Sequence, residues 1–350
     1  MNSEEIKKIM KKQGYRFIGD HAAVKICRWT KKSLRGEGEC YKNRFYGIST
    51  LGCVQMTPWL GCDNNCIHCW RALELNFNKI IDKNSIKPPE EIINECIKSQ
   101  RRLLEGFKIL PKTKHKTLSK VNMKKWEEAQ EPMQFAISLS GEPTLYPYIG
   151  ELIEELRKRG KTSFLVTNGL YPEKIKELIN KKQLPTQLYV SVNAPNKELY
   201  NKFHRSSIKN AWEKFNETLN LMPKLKNKTR LSQVRSSSSG SQTRTVFRMN
   251  LVKDLNMLSE QAREYAKLIK KSQPLFIEIK GFMSVGFARE RLGYERMPTN
   301  KEMESFIEVL LKELKNIGEK DYKLLDKHEF SRAYVLGKNK KYLKIKKSEI

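Results

Sequence analysis

Three cysteines within eight residues, Cys62, Cys66 and Cys69 in the run Cys-Asp-Asn-Asn-Cys-Ile-His-Cys-Trp, constrain this chain more than any other feature. Three thiolates are one ligand fewer than a four-iron cubane takes, so a cluster held by them keeps one iron open to a ligand that is not protein. Structural zinc is the competing reading. Zinc sites usually show two Cys-x-x-Cys pairs, or a Cys pair followed by a His pair, with every ligand supplied by protein. Only Cys66 and Cys69 form such a pair here, and His68, the nearby candidate for a fourth ligand, lies between two ligands where the chain has little freedom to turn it onto the same ion. A disulfide framework fits less well, because the polar start Met1-Asn2-Ser3-Glu4-Glu5 carries no secretory signal. Reduced thiols and a cytoplasmic location are the expectation.

Downstream, short apolar runs end in polar groups. Gln134 to Leu139 ends in Ser140-Gly141-Glu142-Pro143, Ser163 to Val166 ends in Thr167-Asn168-Gly169, and Gln187 to Val192 ends in Asn193 after Ser191. Any one of these is an ordinary turn former. As a series, polar residues at successive strand tips converge on one rim of a barrel. Helical stretches such as Tyr148 to Arg159 and Pro172 to Lys182 follow the strands, so β and α elements alternate and parallel strands with right-handed crossovers result. Strands near Ile48 to Thr57, at Thr245 to Val252 and at Leu275 to Gly281 bring the number to about six.

The Cys-x3-Cys-x2-Cys run resembles the signature of radical S-adenosylmethionine enzymes. The resemblance implies that the amino and carboxylate groups of S-adenosylmethionine chelate the open iron and that an electron cleaves the sulfonium to a 5′-deoxyadenosyl radical, the cofactor carrying the hard step. It places His68 beside the adenine, and Gly141 and Glu142 against the methionyl amino group, where glycine allows close backbone approach and a carboxylate takes an ammonium hydrogen bond. Thr167, Asn168, Ser191 and Asn193 are the further cofactor-facing candidates. Partly on this resemblance, the expected fold is α/β, a partial (β/α)6 TIM-like barrel over residues 48–298, with an N-terminal cluster-bearing extension over 1–47 and a C-terminal helix, strand and basic tail over 299–350.

Cys27, Cys40 and Cys53, with twelve residues between neighbours, make a second set of three, while Cys96 in the amphipathic Pro89 to Leu104 segment reads as an ordinary buried thiol. Two incomplete clusters in one chain, together with His21-Ala22-Ala23-Val24-Lys25, Cys40-Tyr41-Lys42, Leu139 to Pro147 and Thr243-Arg244-Thr245-Val246, resemble the tRNA 4-demethylwyosine synthases of wyosine biosynthesis. The likeness runs from about Gly14 to Val335. It implies a reaction on N1-methylguanosine next to the anticodon of phenylalanine tRNA, in which a methyl-derived carbon radical adds to pyruvate and ring closure gives a tricyclic base retaining two pyruvate carbons. It also implies two [4Fe-4S] clusters, with pyruvate at the one held by Cys27, Cys40 and Cys53 and bound to a lysine as a Schiff base. Such a lysine must be neutral to attack. Lys42, two residues after Cys40, is the first candidate. Lys158, among Arg157, Arg159 and Lys161, is the second. The eukaryotic relatives carry a flavodoxin-like domain that this chain lacks, so an external electron-donor protein is expected, with the enzyme itself a monomer.

Composition points to a polyanion independently: 68 Lys and Arg against 39 Asp and Glu give a formal charge of +29. Lys108 to Lys125 and Lys338 to Lys347 concentrate lysine and are candidates for phosphate contact, with a solvated basic face as the alternative. An anticodon loop presents an exposed base on which Trp59 or Trp70 could stack, unless they belong to the core. With no long apolar segment, no membrane insertion is expected. Two other readings stay open: another radical enzyme such as a glycyl-radical activase, which needs one cluster, and a zinc-stabilised RNA-binding protein. The polar stretch 223–244, with Arg235-Ser236-Ser237-Ser238-Ser239-Gly240-Ser241, is a flexible loop longer than the family's usual connection. Its deletion is expected to leave tricyclic-base formation in place; a variant that binds tRNA but makes no product would contradict this.

Overall fold

The computed structural model describes residues 3–73, 77–79, 81–108, 120–225, 243–346 and 349. Most of the loop expected over 223–244 and, within the two basic stretches, Lys112, Lys114, His115, Lys116 and Lys347 lie outside the described residues. The chain forms two compact units, one of Met1–Cys62, Glu74–Leu165 and Lys344–Ile350, the other of Asp63–Leu73 and Val166–Leu343.

The first unit holds β1 (Arg16–Ile18), β2 (Ala22–Lys25), β3 (Cys53–Thr57), β4 (Gln134–Ile137) and most of β5 (Thr162–Thr167). β1, β2 and β3 pair antiparallel in that order, and β3, β4 and β5 pair parallel. The helix Pro89–Glu105 returns the chain from β3 toward β4. Proline and two glutamates open it, and Ile92, Ile93, Cys96, Gln100 and Leu104 recur on one buried face, so Cys96 is the packed thiol that its spacing implied. The helix Ile149–Lys158 does the same between β4 and β5, burying Ile149, Leu152, Ile153 and Leu156.

In the second unit, β6 (Gln187–Ser191), β7 (Arg244–Leu251) and β8 (Phe276–Gly281) run parallel, and β9 (Lys323–His328) and β10 (Ala333–Gly337) extend the sheet antiparallel in the order β8, β10, β9. The six parallel strands β3 to β8 are those read from the sequence. β1, β2 and β9 were not: the first two are three and four residues long, and β9 is a charged edge strand whose partly exposed residues carry no alternation. The helix Asn300–Asn316 begins at a capping box, Thr299 and Glu302 each bonding the other's backbone N–H, and buries Met303, Phe306, Ile307, Leu310 and Leu314. Phe306 meets Tyr265 of the helix Ala262–Ser272 edge to face, ring centres 6.2 Å apart.

Register sorts the second unit's strands into two faces. Leu188 and Val190, Phe247, Met249 and Leu251, and Ile277 and Ile279 make one apolar buried face. The other face is mixed, with Tyr189 and Ser191, Arg244, Arg248 and Asn250, and Glu278 and Lys280 beside the apolar Val246 and Phe276. Polar side chains on the middle strands of a parallel sheet run against the usual burial of both faces, and they mark where chemistry is to be sought.

His21 locks the first unit's core. Its ring is fully buried, Nδ1 donates to the Pro58 carbonyl at 2.8 Å, and Nε2 accepts the Lys87 N–H at 3.0 Å. That pair of bonds fixes the tautomer, and burial holds the ring's pKa below the ordinary 6.5. His21→Ala leaves the Pro58 carbonyl and the Lys87 N–H without partners and is expected to cost on the order of 2–5 kcal/mol, read as a lower denaturant midpoint. Because the folded ring resists protonation, the unfolded chain binds the proton first as pH falls. Stability contributed by His21 is therefore lost from about pH 6.5 downward, and His21→Phe should flatten that part of the profile.

Candidate cluster and cofactor site

The N-terminal cysteines are built into the first unit by local backbone geometry. Cys27 and Cys40 each sit in extended conformation immediately before a short helix, Arg28–Leu34 and Tyr41–Tyr46, and Cys53 opens β3. Thr50 ties them together: its carbonyl accepts from the Thr30 hydroxyl at 3.1 Å, and its own Oγ1 accepts from the Cys40 N–H at 3.0 Å. The Gln100 amide holds the Cys53 carbonyl at 3.2 Å. Burial pushes the Cys53 thiol well up, the neighbouring Cys27 and Cys40 add to the effect, and the Lys42 ammonium opposes it, so these four groups lie within electrostatic reach of one another.

Lys42 is only 8% exposed, with Nζ 5.0 Å from the centre of the Phe164 ring. Its helix is closed by Gly47 at φ 74°, and the C-terminal tail seats on it: Ile345 N–H donates to the Tyr46 carbonyl at 3.0 Å, and Lys344 reaches the Asn43 and Arg44 carbonyls. One lysine of the expected phosphate-binding tail therefore caps a helix C-terminus. Lys158, at the end of its helix, is two-thirds exposed with Nζ 3.8 Å from Glu154.

Gly141 and Glu142 lie against Trp59–Gly61, the segment just before Cys62. Gly141 takes φ 72°, and a Cβ there would fall inside the Trp59 carbonyl oxygen, so no other residue fits. Glu142 N–H donates to the Gly61 carbonyl at 2.7 Å. Its carboxylate, 1% exposed, accepts from the Thr144 N–H and hydroxyl at 3.1 and 2.6 Å. Trp59 belongs to the core beside His21, with Nε1 donating to Asn78, whereas Trp70 is 39% exposed.

Cys66 and Cys69 lie in the second unit, on a turn in which the Cys69 N–H donates to the Cys66 carbonyl at 3.0 Å. The loop is pinned from two sides. Asn65 and Ile67 donate backbone N–H groups to the His204 and Phe203 carbonyls, and the Arg291 guanidinium reaches the carbonyls of Ile67, Cys69 and Arg71. His68 is half-buried as a residue, with its Nδ1 buried and unpartnered and its ring 4.8 Å from Phe203; desolvation first, then Arg248 and Arg291, hold its pKa down to about 4, so the ring is neutral.

At the strand tips, Thr167 Oγ1 accepts from the Gly169 N–H and Asn168 Oδ1 from the Leu170 N–H, which makes both part of their own turn. Asn193 Oδ1 accepts from the Asn250 N–H at 2.9 Å, and Ser191 ends β6 half-buried. The reading from sequence missed Arg248. Its guanidinium lies 3.5 Å from the fully buried Glu278 and 5.9 Å from the centre of the Tyr189 ring, one quarter exposed and able to take a carboxylate or phosphate. Opposite charges inside two strands of the sheet, Arg248 and Glu278, were the available signal.

Among the described residues no three His, Cys, Asp or Glu side chains gather tightly enough for a single metal ion. The donor set itself suits iron–sulfur chemistry, being thiols alone in both triads, and the Gly141 cradle and the bare His68 nitrogen suit a bound organic cofactor.

Comparison with known proteins agrees with this chemistry. Residues 56–232 match the Radical SAM superfamily and residues 271–338 match Wyosine base formation. A protein of Pyrococcus abyssi named S-adenosyl-L-methionine-dependent tRNA 4-demethylwyosine synthase is 44% identical over 95% of this chain and 88% of its own length. Two solved structures resemble the chain throughout: TYW1 with a lysine-pyruvate adduct bound, with TM-score 0.77, 32% identity and all of both chains covered, and archaeal TYW1, with TM-score 0.70, 30% identity and 99% of this chain and all of that one covered. These likenesses carry the partial-barrel fold expected for β3 to β8, and with them the chain belongs to the radical S-adenosylmethionine superfamily and, within it, to the tRNA 4-demethylwyosine synthase family.

Proposed function

We infer that this chain converts N1-methylguanosine beside the anticodon of phenylalanine tRNA, with pyruvate, into the tricyclic 4-demethylwyosine base. The likeness to 4-demethylwyosine synthases along nearly the whole chain carries the reading. It favours this function over a glycyl-radical activase or a zinc-stabilised RNA-binding protein. S-adenosylmethionine at a [4Fe-4S] cluster supplies the hydrogen-abstracting radical. Cys62, Cys66 and Cys69 are assigned to that cluster, and Cys27, Cys40 and Cys53 to a second one.

The remaining assignments concern what the side chains do. Glu142 takes the ammonium of the methionyl group, with Gly141 letting the backbone come close. His68, neutral and with a bare nitrogen, faces the adenine. Thr167, Asn168, Ser191 and Asn193 hold the strand tips around the cofactor, and Arg248 takes a carboxylate. Lys42 is the imine-forming residue: its neutral amine attacks the pyruvate carbonyl carbon, the carbonyl oxygen leaves as water, and the resulting C=N polarises the adjoining carbon. Burial within reach of Cys53 favours Lys42, whereas Lys158 stands in water beside Glu154.

The high positive charge fits a tRNA partner. Among the described residues no helix is long and apolar enough to cross a membrane. Reduction is assigned to a separate donor protein, and the working state to a monomer in the cytoplasm.

Anaerobic incubation with S-adenosylmethionine, pyruvate, reductant and N1-methylated tRNA, followed by nucleoside mass analysis, is expected to yield the tricyclic base. Release of 5′-deoxyadenosine with no change in the tRNA would leave a radical enzyme of other specificity. For Lys42→Ala, borohydride treatment with labelled pyruvate should trap no adduct, while both clusters and cofactor cleavage persist and product falls by at least about a hundredfold. Wild-type product formation by that variant would remove the imine role.

A further inference from the structure

We propose that His204 is a positioning residue for the radical-generating cluster: its Nδ1–H donates a hydrogen bond to the Cys66 sulfur and raises the cluster's reduction potential. The inference rests on reading Cys66 as a ligand of that cluster. Nothing in the sequence pairs these residues, which are 138 positions apart, yet Cys66 Sγ lies 3.0 Å from His204 Nδ1 and the His204 side chain is buried.

The direction of the bond follows from the chemistry of a bound thiolate. A sulfur held by iron has no proton to give, so the imidazole must be the donor, and one tautomer is selected with hydrogen on Nδ1 and a lone pair on Nε2. His204 Nε2 is buried without a partner, which suits that tautomer, since an orphaned acceptor is better tolerated than an orphaned N–H. Ring and loop are also held in one geometry. His204 ends the helix Lys197–His204, its ring packs 4.5 Å from Tyr200 and 5.3 Å from Phe203, and the carbonyls of His204 and Phe203 accept the N–H groups of Asn65 and Ile67 on either side of Cys66. The helix end that presents the donor thus also fixes the backbone of the acceptor.

A hydrogen bond to a ligating sulfur draws electron density from it and favours the reduced, more negative cluster, so such bonds are among the levers that set cluster potentials. The consequence is functional. A cluster that must accept an electron before it can cleave the sulfonium is reduced more readily with the bond than without it.

The test uses full-length protein reconstituted anaerobically, with the cluster of interest identified as the electron paramagnetic resonance signal that changes on adding S-adenosylmethionine. His204→Phe keeps an aromatic ring and removes the donor. His204→Asn places an amide N–H near the former Nδ1. In redox titrations, His204→Phe is expected to show a lower midpoint at unchanged iron content, and His204→Asn a midpoint between that variant and wild type or equal to wild type. An unchanged midpoint in His204→Phe overturns the proposal. Should that variant fail to hold its cluster, pulsed resonance on wild-type protein labelled with nitrogen-15 histidine decides: a weak nitrogen coupling that disappears in His204→Asn supports the bond, and its absence from wild type refutes it. Wild-type protein that assembles no iron would overturn the cluster reading itself, a result distinct from an intact cluster indifferent to His204.

Discussion

The close approach of Gly141-Glu142 to Trp59–Gly61 is the constraint on which the first unit's share of the functional residues depends. Only a residue without Cβ lets the strand tip touch the Trp59 carbonyl, and once there the Glu142 N–H bonds the Gly61 carbonyl at 2.7 Å. That one contact sets where Cys62 leaves the unit and where the Glu142 carboxylate sits. The same segment is held from behind by His21, whose Nδ1 bonds Pro58 and whose carbonyl accepts the Leu60 N–H. A helix–strand scaffold thus reaches its reactive loop through backbone bonds, which position it more tightly than side-chain packing alone would.

Burial separates the histidines into two kinds. His21 has both ring nitrogens bonded to backbone and is a structural bolt. His204 is buried and His68 half-buried, yet each keeps one buried nitrogen without a partner, and both are held neutral, His68 at about 4 and His204 at about 3. An unsatisfied buried nitrogen costs stability. Beside Cys66 and Cys69 the fold carries that cost at both histidines. Arg248 and Glu278 follow the same logic: a pair of charges on the middle strands gives up hydration that apolar neighbours would not, and it leaves a guanidinium on a face that Ser191, Asn250 and Lys280 also keep partly open to water.

Much of the fold was legible because its signals are local. Pro89, Thr299 and Glu302 mark helix starts, apolar runs of four to eight residues mark β4 to β8, and polar tips at Gly141, Asn168 and Asn193 mark where those strands end. The short strands β1 and β2 and the charged β9 escaped, since three or four residues, or a charged edge, carry no period. Two sets of three cysteines stood out in the sequence because thiols are rare. What the lysines do was not legible, because a chain with so many of them gives no lysine a distinctive surrounding in one dimension; burial distinguishes Lys42 from the exposed Lys158.

By itself the sequence determined the reactive elements: which thiols occur at cluster spacing, which glycine must stand at a strand tip, and the family to which that combination belongs. Tertiary structure alone decided the partners of those elements, His204 beside Cys66, Arg248 beside Glu278, Thr50 between Cys40 and Thr30, and Lys344 on the helix of Lys42. The reason is physical. Spacing along a chain encodes periodicity and local turns, whereas a hydrogen bond or an ion pair depends on distances of about three ångströms that arise only when remote segments fold together.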